Sequence, residues 1–278
     1  MNKLMRAGLF RLRRDRVFWL CLGAMVVVAA GQMTMGVQQS RVMAAEGYTV
    51  MLAGSFFPLI QAVMVCIAVF TGLYLGTDHS EGALRNRLMV GHSRGRIYLA
   101  GLGTAMTGTL CFLAAWLLGG GLPALLHRDL WKMGAGQTLL YGLVALLSAL
   151  TLTSILTLVG MLAEKKSTAA VVSILLALGL VLVSTWLYSR LLEPEMETGL
   201  IMTVGGMEWG DPTPNPRYVG GVARQVFETI LDVLPTGQMV RLSDMAVTRP
   251  VLNLAASALV TAAAVLAGMG LFGKKDLK

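Results

Sequence analysis

The chain has 278 residues, of which 55% are hydrophobic and only 14% are charged, and its mean hydropathy is +0.68. Because soluble domains carry about a quarter charged residues, this composition excludes an ordinary water-soluble protein and indicates a surface that lies partly in lipid. The three cysteines, Cys21, Cys66 and Cys111, fall in separate apolar runs without metal-ligand spacing. They predict neither a disulfide framework nor a metal site.

Residues 1–16 predict a basic amphipathic helix. Leu4, Leu9 and Leu12 recur near helical spacing, with arginines on the remaining surface. Such a helix can lie in the plane of the lipid headgroups. A plain positively charged anchor before the first span is the alternative.

Six long runs without a charged residue follow. Each is long enough for a membrane span, which needs about 20 apolar residues. The first run is longer than the apolar core of a signal peptide, so we interpret it as a span. The predicted fold is an all-α integral membrane protein with six transmembrane helices, at about 17–37, 53–76, 97–121, 137–162, 168–189 and 250–272.

Two features within the spans predict local geometry. Pro58, early in the second span, predicts a kink or a broken helix start. Gly72 and Gly76, four residues apart, predict a close approach of a neighbouring helix.

The distribution of basic residues predicts the orientation. With both termini on one side, that side holds fifteen of the 23 basic residues but only five of the 15 acidic ones. The positive-inside rule therefore places the N- and C-termini in the cytoplasm. The net charge of +8 reflects membrane topology, and we expect no nucleic-acid partner.

The cytoplasmic loop at residues 77–96 predicts a short capped helix from Ser80 to Met89. Leu84, Leu88 and Met89 would share one side, and Gly91 would end the helix. Apart from the N-terminal helix, this is the cytoplasmic feature large enough to receive a partner. A solvated loop is the alternative.

Two stretches resemble catalytic or phosphate-binding motifs, but their surroundings do not support either function. Residues 91–95 read GHSRG, but a G-x-S-x-G nucleophile needs a strand before its turn and a sheet beneath it. No strand alternation is found, and His92 directly adjoins Ser93, so we interpret the stretch as a turn and expect no catalytic residue. Gly268–Lys275 nearly matches a phosphate-binding loop, but Lys275 stands where Ser or Thr is required. We interpret it as the end of the last span.

The outer segment 190–249 predicts an extracellular cap. Its valines repeat at helical spacing, which predicts an amphipathic helix followed by a break at Pro235. The apolar face should pack on the outer membrane interface or on the outer ends of the spans. That face consists of Val219, Val222, Val226, Ile230 and Val233.

The predicted spans contain no ionisable residue, which disfavours ion-coupled secondary transport. Transport against a gradient would therefore draw its energy from a cytoplasmic partner.

The stretch Leu75–Ala100 resembles the conserved loop of permease subunits of type-2 ATP-binding cassette (ABC) exporters. Ala83 stands where that family usually has Thr, and Leu234-Pro235 is similar to a second step of the family. The matching residues of the loop are Gly76, Asp78, Glu81, Gly82, Leu84, Arg85, Asn86, Gly91, Ser93, Arg94, Ile97, Tyr98 and Leu99.

The resemblance implies a permease with no enzyme activity of its own. Its loop would be a coupling helix that docks on a separate ABC ATPase subunit, present in two copies. A second permease copy, identical or different, would complete the pathway. ATP and magnesium would bind the ATPase, and this chain would need no cofactor. The expected docking residues are Asp78, Glu81, Arg85, Asn86, Arg87 and Arg94.

An uncharged interior suits an amphiphilic substrate, such as a peptide, a drug or a lipid-like molecule. The expected location is the plasma membrane of a bacterium. A different class remains open: a non-transporting membrane sensor or immunity protein that binds a ligand with its extracellular cap.

Overall fold

The computed structural model describes residues 2–48, 51–80, 82–203 and 206–275. Most of these residues are helical, as expected where hydrocarbon offers the backbone no hydrogen-bond partners. The helices are α1 (Asn2–Arg14), α2 (Arg16–Ala45), α3 (Ala53–Phe56), α4 (Ile60–Ser80), α5 (Ala83–Met89), α6 (Arg94–Leu126), α7 (Arg128–Trp131), α8 (Ala135–Leu162), α9 (Lys166–Leu192), α10 (Gly221–Val233), α11 (Pro235–Ser243) and α12 (Pro250–Lys274).

Six helical segments are long and apolar enough to cross a membrane. They are α2, α3 with α4, α6, α8, α9 and α12, which agree in number with the six predicted spans and are consistent with an all-α membrane protein. Several helices extend beyond the predicted bounds, most clearly α2 and α6. Hydropathy marks only the apolar centre of a span, whereas the helical backbone continues into its polar ends.

The predicted break at Pro58 is confirmed. A 3-10 turn at Phe57–Leu59 separates α3 from α4. Proline has no backbone N–H to donate and clashes with the preceding turn of a helix, so its ring sits where the α-helix is interrupted.

α4 and α8 are the most buried spans, and α4 packs mainly against α9. The contact is close because it is built from small residues. A Cβ atom at Gly72 would lie 3.0 Å from the Ala170 Cα, and one at Gly76 would lie 2.9 Å from the Lys166 carbonyl oxygen. This confirms the predicted close approach.

The bundle has two distinct ends. We call one the basic end; it carries α1, α5, the start of α9 and the end of α12. The other, the cap end, carries α7, α10 and α11. α1 buries Leu4 and Leu12 in the core of the bundle. Its position in the headgroup plane stays a prediction.

The cap end contains short strands that the sequence pattern does not predict. They are β1 (Met196–Glu197), β2 (Leu200–Thr203), β3 (Gly206–Trp209) and β4 (Thr213–Pro214), in the antiparallel pairs β1–β4 and β2–β3. The expectation that the chain holds no strand is therefore wrong for this segment. Strands of two to four residues are too short to display a readable alternation.

The predicted amphipathic helix of the cap is confirmed as α10, but a different face packs. Leu231 is fully buried and Phe227 contacts Trp186 of α9 at a ring-centroid distance of 5.8 Å. Val222 and Val226 are exposed. The valine face therefore does not pack on the outer ends of the spans, which was one of its two predicted packing sites. Its packing on the outer membrane interface stays a prediction.

α11 was not predicted, although Pro235 at its first turn is a favourable helix start. All nine of its residues are buried between α8 and α9. Gln238 donates to the Asp232 carbonyl at 2.7 Å and to the Asn253 carbonyl at 3.1 Å, and Arg241 pairs with the Asp232 carboxylate. This polar cluster joins α10, α11 and α12.

The α4–α9 contact yields a first prediction. Gly76→Ala should lower the free energy of unfolding by about 1–3 kcal/mol, because the new methyl group forces two backbones apart. Gly179→Ala on α9 is the control, since open space surrounds that position. Denaturant unfolding in detergent micelles measures both. Equal stability of the two variants would contradict the close contact.

Candidate functional site

α5 is a short helix set between two glycines at the basic end. Gly82 (φ +63°) precedes it and Gly91 (φ +91°) follows it, both in the left-handed region that favours glycine. The Gly91 N–H donates to the Leu88 carbonyl at 2.9 Å. Leu84 is buried and fixes the helix against the bundle.

The predicted helix from Ser80 begins later than expected. Ser80 is the last residue of α4, where its hydroxyl donates to the Thr77 carbonyl at 3.1 Å, so it does not cap α5. Leu84 and Leu88 pack against the core of the bundle, whereas Met89 is exposed, so the three side chains do not share one side of the helix as predicted.

Asp78, two residues before the end of α4, is the electrostatic centre of the site. Its side chain is only 3% exposed, and Arg87 of α5 donates to both carboxylate oxygens at 3.1 and 3.3 Å. Arg11 of α1 pairs with the same carboxylate. A buried carboxylate between two guanidinium groups joins three helices.

Arg11 makes further contacts with α4. Its guanidinium lies 3.9 Å from the centroid of the Tyr74 ring and donates to the Tyr74 carbonyl at 3.2 Å. The Tyr74 hydroxyl donates in turn to the Gly8 carbonyl at 2.9 Å. Burial alone would lower the pKa of Arg11, but Asp78 and Tyr74 outweigh it and raise the pKa. α1 is thus held to α4 by charge as well as by packing.

The outward surface of α5 combines positive and apolar groups. Arg85 and Asn86 are exposed, and so are Met89 (78%) and Val90 (77%) at the end of the helix. Exposed apolar side chains outside the spans are costly in water and favoured where another protein covers them.

The structure separates the six predicted docking residues into groups. Arg85 and Asn86 face outward, whereas Asp78 and Arg87 are engaged with each other inside the protein. Arg94 donates to the backbone carbonyl of Lys275. Glu81 lies outside the described residues. The docking role of all six stays a prediction.

Lys275 ties the end of α12 to the basic end. Its ammonium donates to the Ala163 carbonyl at 2.5 Å and to the Met161 carbonyl at 3.4 Å. Burial lowers the pKa of Lys275, and Glu164 partly offsets this. Arg94 and Lys275 therefore serve the packing of α6, α8 and α12.

The two look-alike motifs lie in ordinary helical surroundings. Gly91 ends α5, and Ser93 immediately precedes α6 with an extended backbone, so GHSRG is the predicted turn. Gly268 lies within α12, against the ring of Tyr98, rather than in a phosphate-binding loop.

The sequence analysis missed three parts of this site. Arg11 is 67 residues from Asp78, and no local pattern links them. The exposure of Met89 and Val90 was also not predicted, since Met89 was grouped with Leu84 and Leu88. Their position just before Gly91, beyond the last buried turn, is the signal that could have separated them from Leu84 and Leu88.

No protein-family model matches the chain, and no curated protein is significantly similar to it. The resemblance to ABC exporter permeases therefore depends on the loop residues and on the six-span pattern.

The site yields a second prediction. Asp78→Asn leaves two guanidinium groups facing each other without a carboxylate, and should lower the free energy of unfolding by about 2–3 kcal/mol. Hydrogen exchange should accelerate in α1 and α5, which Asp78 joins to α4. Arg85→Gln, at an exposed position, is the control and should leave exchange unchanged. Undisturbed exchange in the Asp78 variant would show that packing alone holds the two helices.

Proposed function

We propose that this chain is the permease subunit of an ABC exporter, energised by a separate cytoplasmic ATPase subunit. The observation that carries the proposal is the construction of α5. One side of this helix is fixed to α4 through Arg87 and Asp78, while Arg85, Met89 and Val90 are exposed. Such a helix could bind a partner protein with its exposed side and transmit the partner's movement to α4 through its fixed side.

The contacts indicate how that force would travel. A displacement of α5 would be transmitted to α4 by the Arg87–Asp78 pair and to α1 by the Arg11–Asp78 pair. α4 is among the most buried spans, so its movement would affect α8 and α9 directly. ATP binding and hydrolysis on two partner subunits would thereby rearrange two permease copies.

The proposed orientation places the basic end in the cytoplasm of a bacterial cell and the cap end outside. The support is the excess of Lys and Arg at the basic end, together with the positive-inside rule.

The proposed substrate is an amphiphile, either a peptide, a drug or a lipid-like molecule, exported from the cytoplasm or the inner leaflet. Its support is the buried polar inventory of the spans, which consists largely of Ser, Thr and Asn hydroxyl and amide groups. An interior without fixed charge suits an amphiphile better than an ion.

A second candidate is a non-transporting sensor that binds a ligand with its cap. The observation that favours it is the exposed valine face of α10, with Val222 76% exposed. This candidate needs no ATPase, which separates it experimentally from the exporter.

Affinity purification from the native membrane provides the test. We expect a soluble ATPase to co-purify with the wild-type chain, together with ATP hydrolysis. Arg85→Glu/Met89→Asp should reduce the retained ATPase about tenfold or more, because it changes charge and removes an apolar contact on the docking surface.

The matched control is Lys165→Glu/Ser167→Asp, which makes the same change of charge at exposed positions immediately before and within the first turn of α9 at the basic end. Equal retention by both variants would overturn the assignment of α5 as the docking helix. A wild-type chain that purifies without any ATPase would favour the sensor.

A further inference from the structure

A cavity of about 710 Å³ lies at the cap end, between α6, α7 and α8. Its volume is within the range of small-molecule sites. Its wall covers residues 116–125 of α6, a length of about 14 Å at the helical rise per residue. It is distinct from the docking surface of α5, which lies at the basic end.

The inner wall of the cavity is a rigid aromatic cluster. Phe56 stacks on Trp116 at a centroid distance of 4.6 Å and meets Trp131 edge-on at 5.5 Å. Phe57 lies behind them, 1% exposed. Trp131 is the part-exposed member of this wall, whereas Phe56 (5%) and Trp116 (2%) present only an edge to the cavity. The packing of the rings fixes the shape of the wall, and an apolar occupant would gain dispersion contacts with it.

The polar groups of the wall are already satisfied. Trp116 Nε1 donates to the Phe56 carbonyl at 3.2 Å, and Trp131 Nε1 donates to the Thr138 hydroxyl at 3.2 Å. Thr138 donates to the Gly134 carbonyl at 3.0 Å. The inner part of the cavity therefore favours an apolar ligand, because a polar ligand would lose its hydrogen bonds to water without replacing them.

Two glycines on facing helices keep the cavity open. Gly121 of α6 and Gly142 of α8 both line it, and a Cβ atom at either position would meet nothing within 4 Å. The space is therefore not filled by a neighbouring side chain of the described protein.

One side of the cavity is open and apolar. Leu118, Leu122, Leu125 and Leu139 line it and are each more than half exposed, on helices that are apolar enough to span a membrane. In a bilayer this side would face hydrocarbon, and a lipid chain could enter the cavity sideways.

The mouth of the cavity carries positive charge. Arg128 lines it, is exposed, and forms no ion pair with any residue that the structure describes. Arg41 lies nearby through a 3.3 Å contact with His127, and Lys132 is exposed in the same short connection, which also contains Asp129. The mouth therefore complements an anionic headgroup at the membrane surface.

We propose that this cavity is a binding site for an anionic phospholipid, with one acyl chain against Trp116 and Trp131 and the phosphate at Arg128. The site does not depend on ATP-driven transport, so either proposal can fail without the other.

The test is fluorescence quenching by brominated lipid. In a Trp19→Phe/Trp186→Phe/Trp209→Phe background, only Trp116 and Trp131 remain. The protein is placed in phosphatidylcholine nanodiscs with rising fractions of phosphatidylglycerol brominated in mid-chain. We expect saturable quenching, with half-quenching at a mole fraction about fivefold lower than for brominated phosphatidylcholine, the preference that one basic residue provides.

Variants assign the effect to the cavity and its mouth. Gly121→Phe/Gly142→Phe should abolish the saturable quenching by filling the space. Gly136→Phe/Gly179→Phe, at two open helical positions outside the cavity, should retain it, and thermal unfolding confirms that both variants are folded. Arg128→Gln should shift half-quenching by the anionic lipid toward the value for the neutral lipid.

Three results would overturn the proposal. Quenching that rises in proportion to bulk lipid and survives the filling variant would mean that no bound chain is present. Equal half-quenching by the two lipids would exclude the anionic headgroup. Protection of both tryptophans from either lipid would mean that protein, such as a second copy of the chain, covers the mouth.

Discussion

Charge lies at the ends of this molecule, because hydrocarbon penalises a buried charge and the centres of the spans carry no Asp, Glu, Lys, Arg or His. Each end meets this constraint in the same way. At the basic end the buried carboxylate of Asp78 is held by Arg11 and Arg87, and at the cap end that of Asp232 is held by Arg241, with Arg249 at 3.7 Å. A buried carboxylate is tolerated only when it is paired and hydrogen-bonded. The short helices at each end are therefore anchored at the level where the apolar parts of the spans end.

The two anchors organise everything outside the apolar parts of the spans. Asp78 connects the last turn of α4 to the N-terminal helix and to α5, so the exposed surface of α5 cannot move independently of a central span. The cluster around Asp232 connects α10 and α11 to α12. Within the apolar part of the bundle, hydrogen bonds between hydroxyl groups join the helices, as between Thr109 of α6 and Thr153 of α8 at 2.7 Å. The exposed surfaces at both ends are thus held by ion pairs to the spans beneath them.

The sequence was a good guide wherever the determining property is local. Apolar length predicted the six spans, Pro58 predicted the interruption before α4, and Gly72 predicted close packing, because each depends on a few neighbouring residues. The Arg11–Asp78 pair was not predictable, since the partners are far apart in the chain. Likewise, the face on which α10 packs was decided by the larger Phe227 and Leu231 rather than by the regular valines. The cavity also depends on which helices become neighbours.

The spans are joined by two unlike kinds of contact, and this difference determines where the bundle can deform. Between α8 and α12, the Thr151 hydroxyl bonds to the Ser257 carbonyl at 3.0 Å and to Thr261 at 2.9 Å, which fixes their register. Between α4 and α9 the surfaces are small and smooth, and the hydroxyls of Thr71 and Ser173 form no hydrogen bond within the described part of the chain. Sliding along α4–α9 breaks no directional bond of these side chains. Shear along α4–α9 would therefore break fewer side-chain hydrogen bonds than shear along α8–α12, and the α4–α9 contact lies next to the Asp78 anchor.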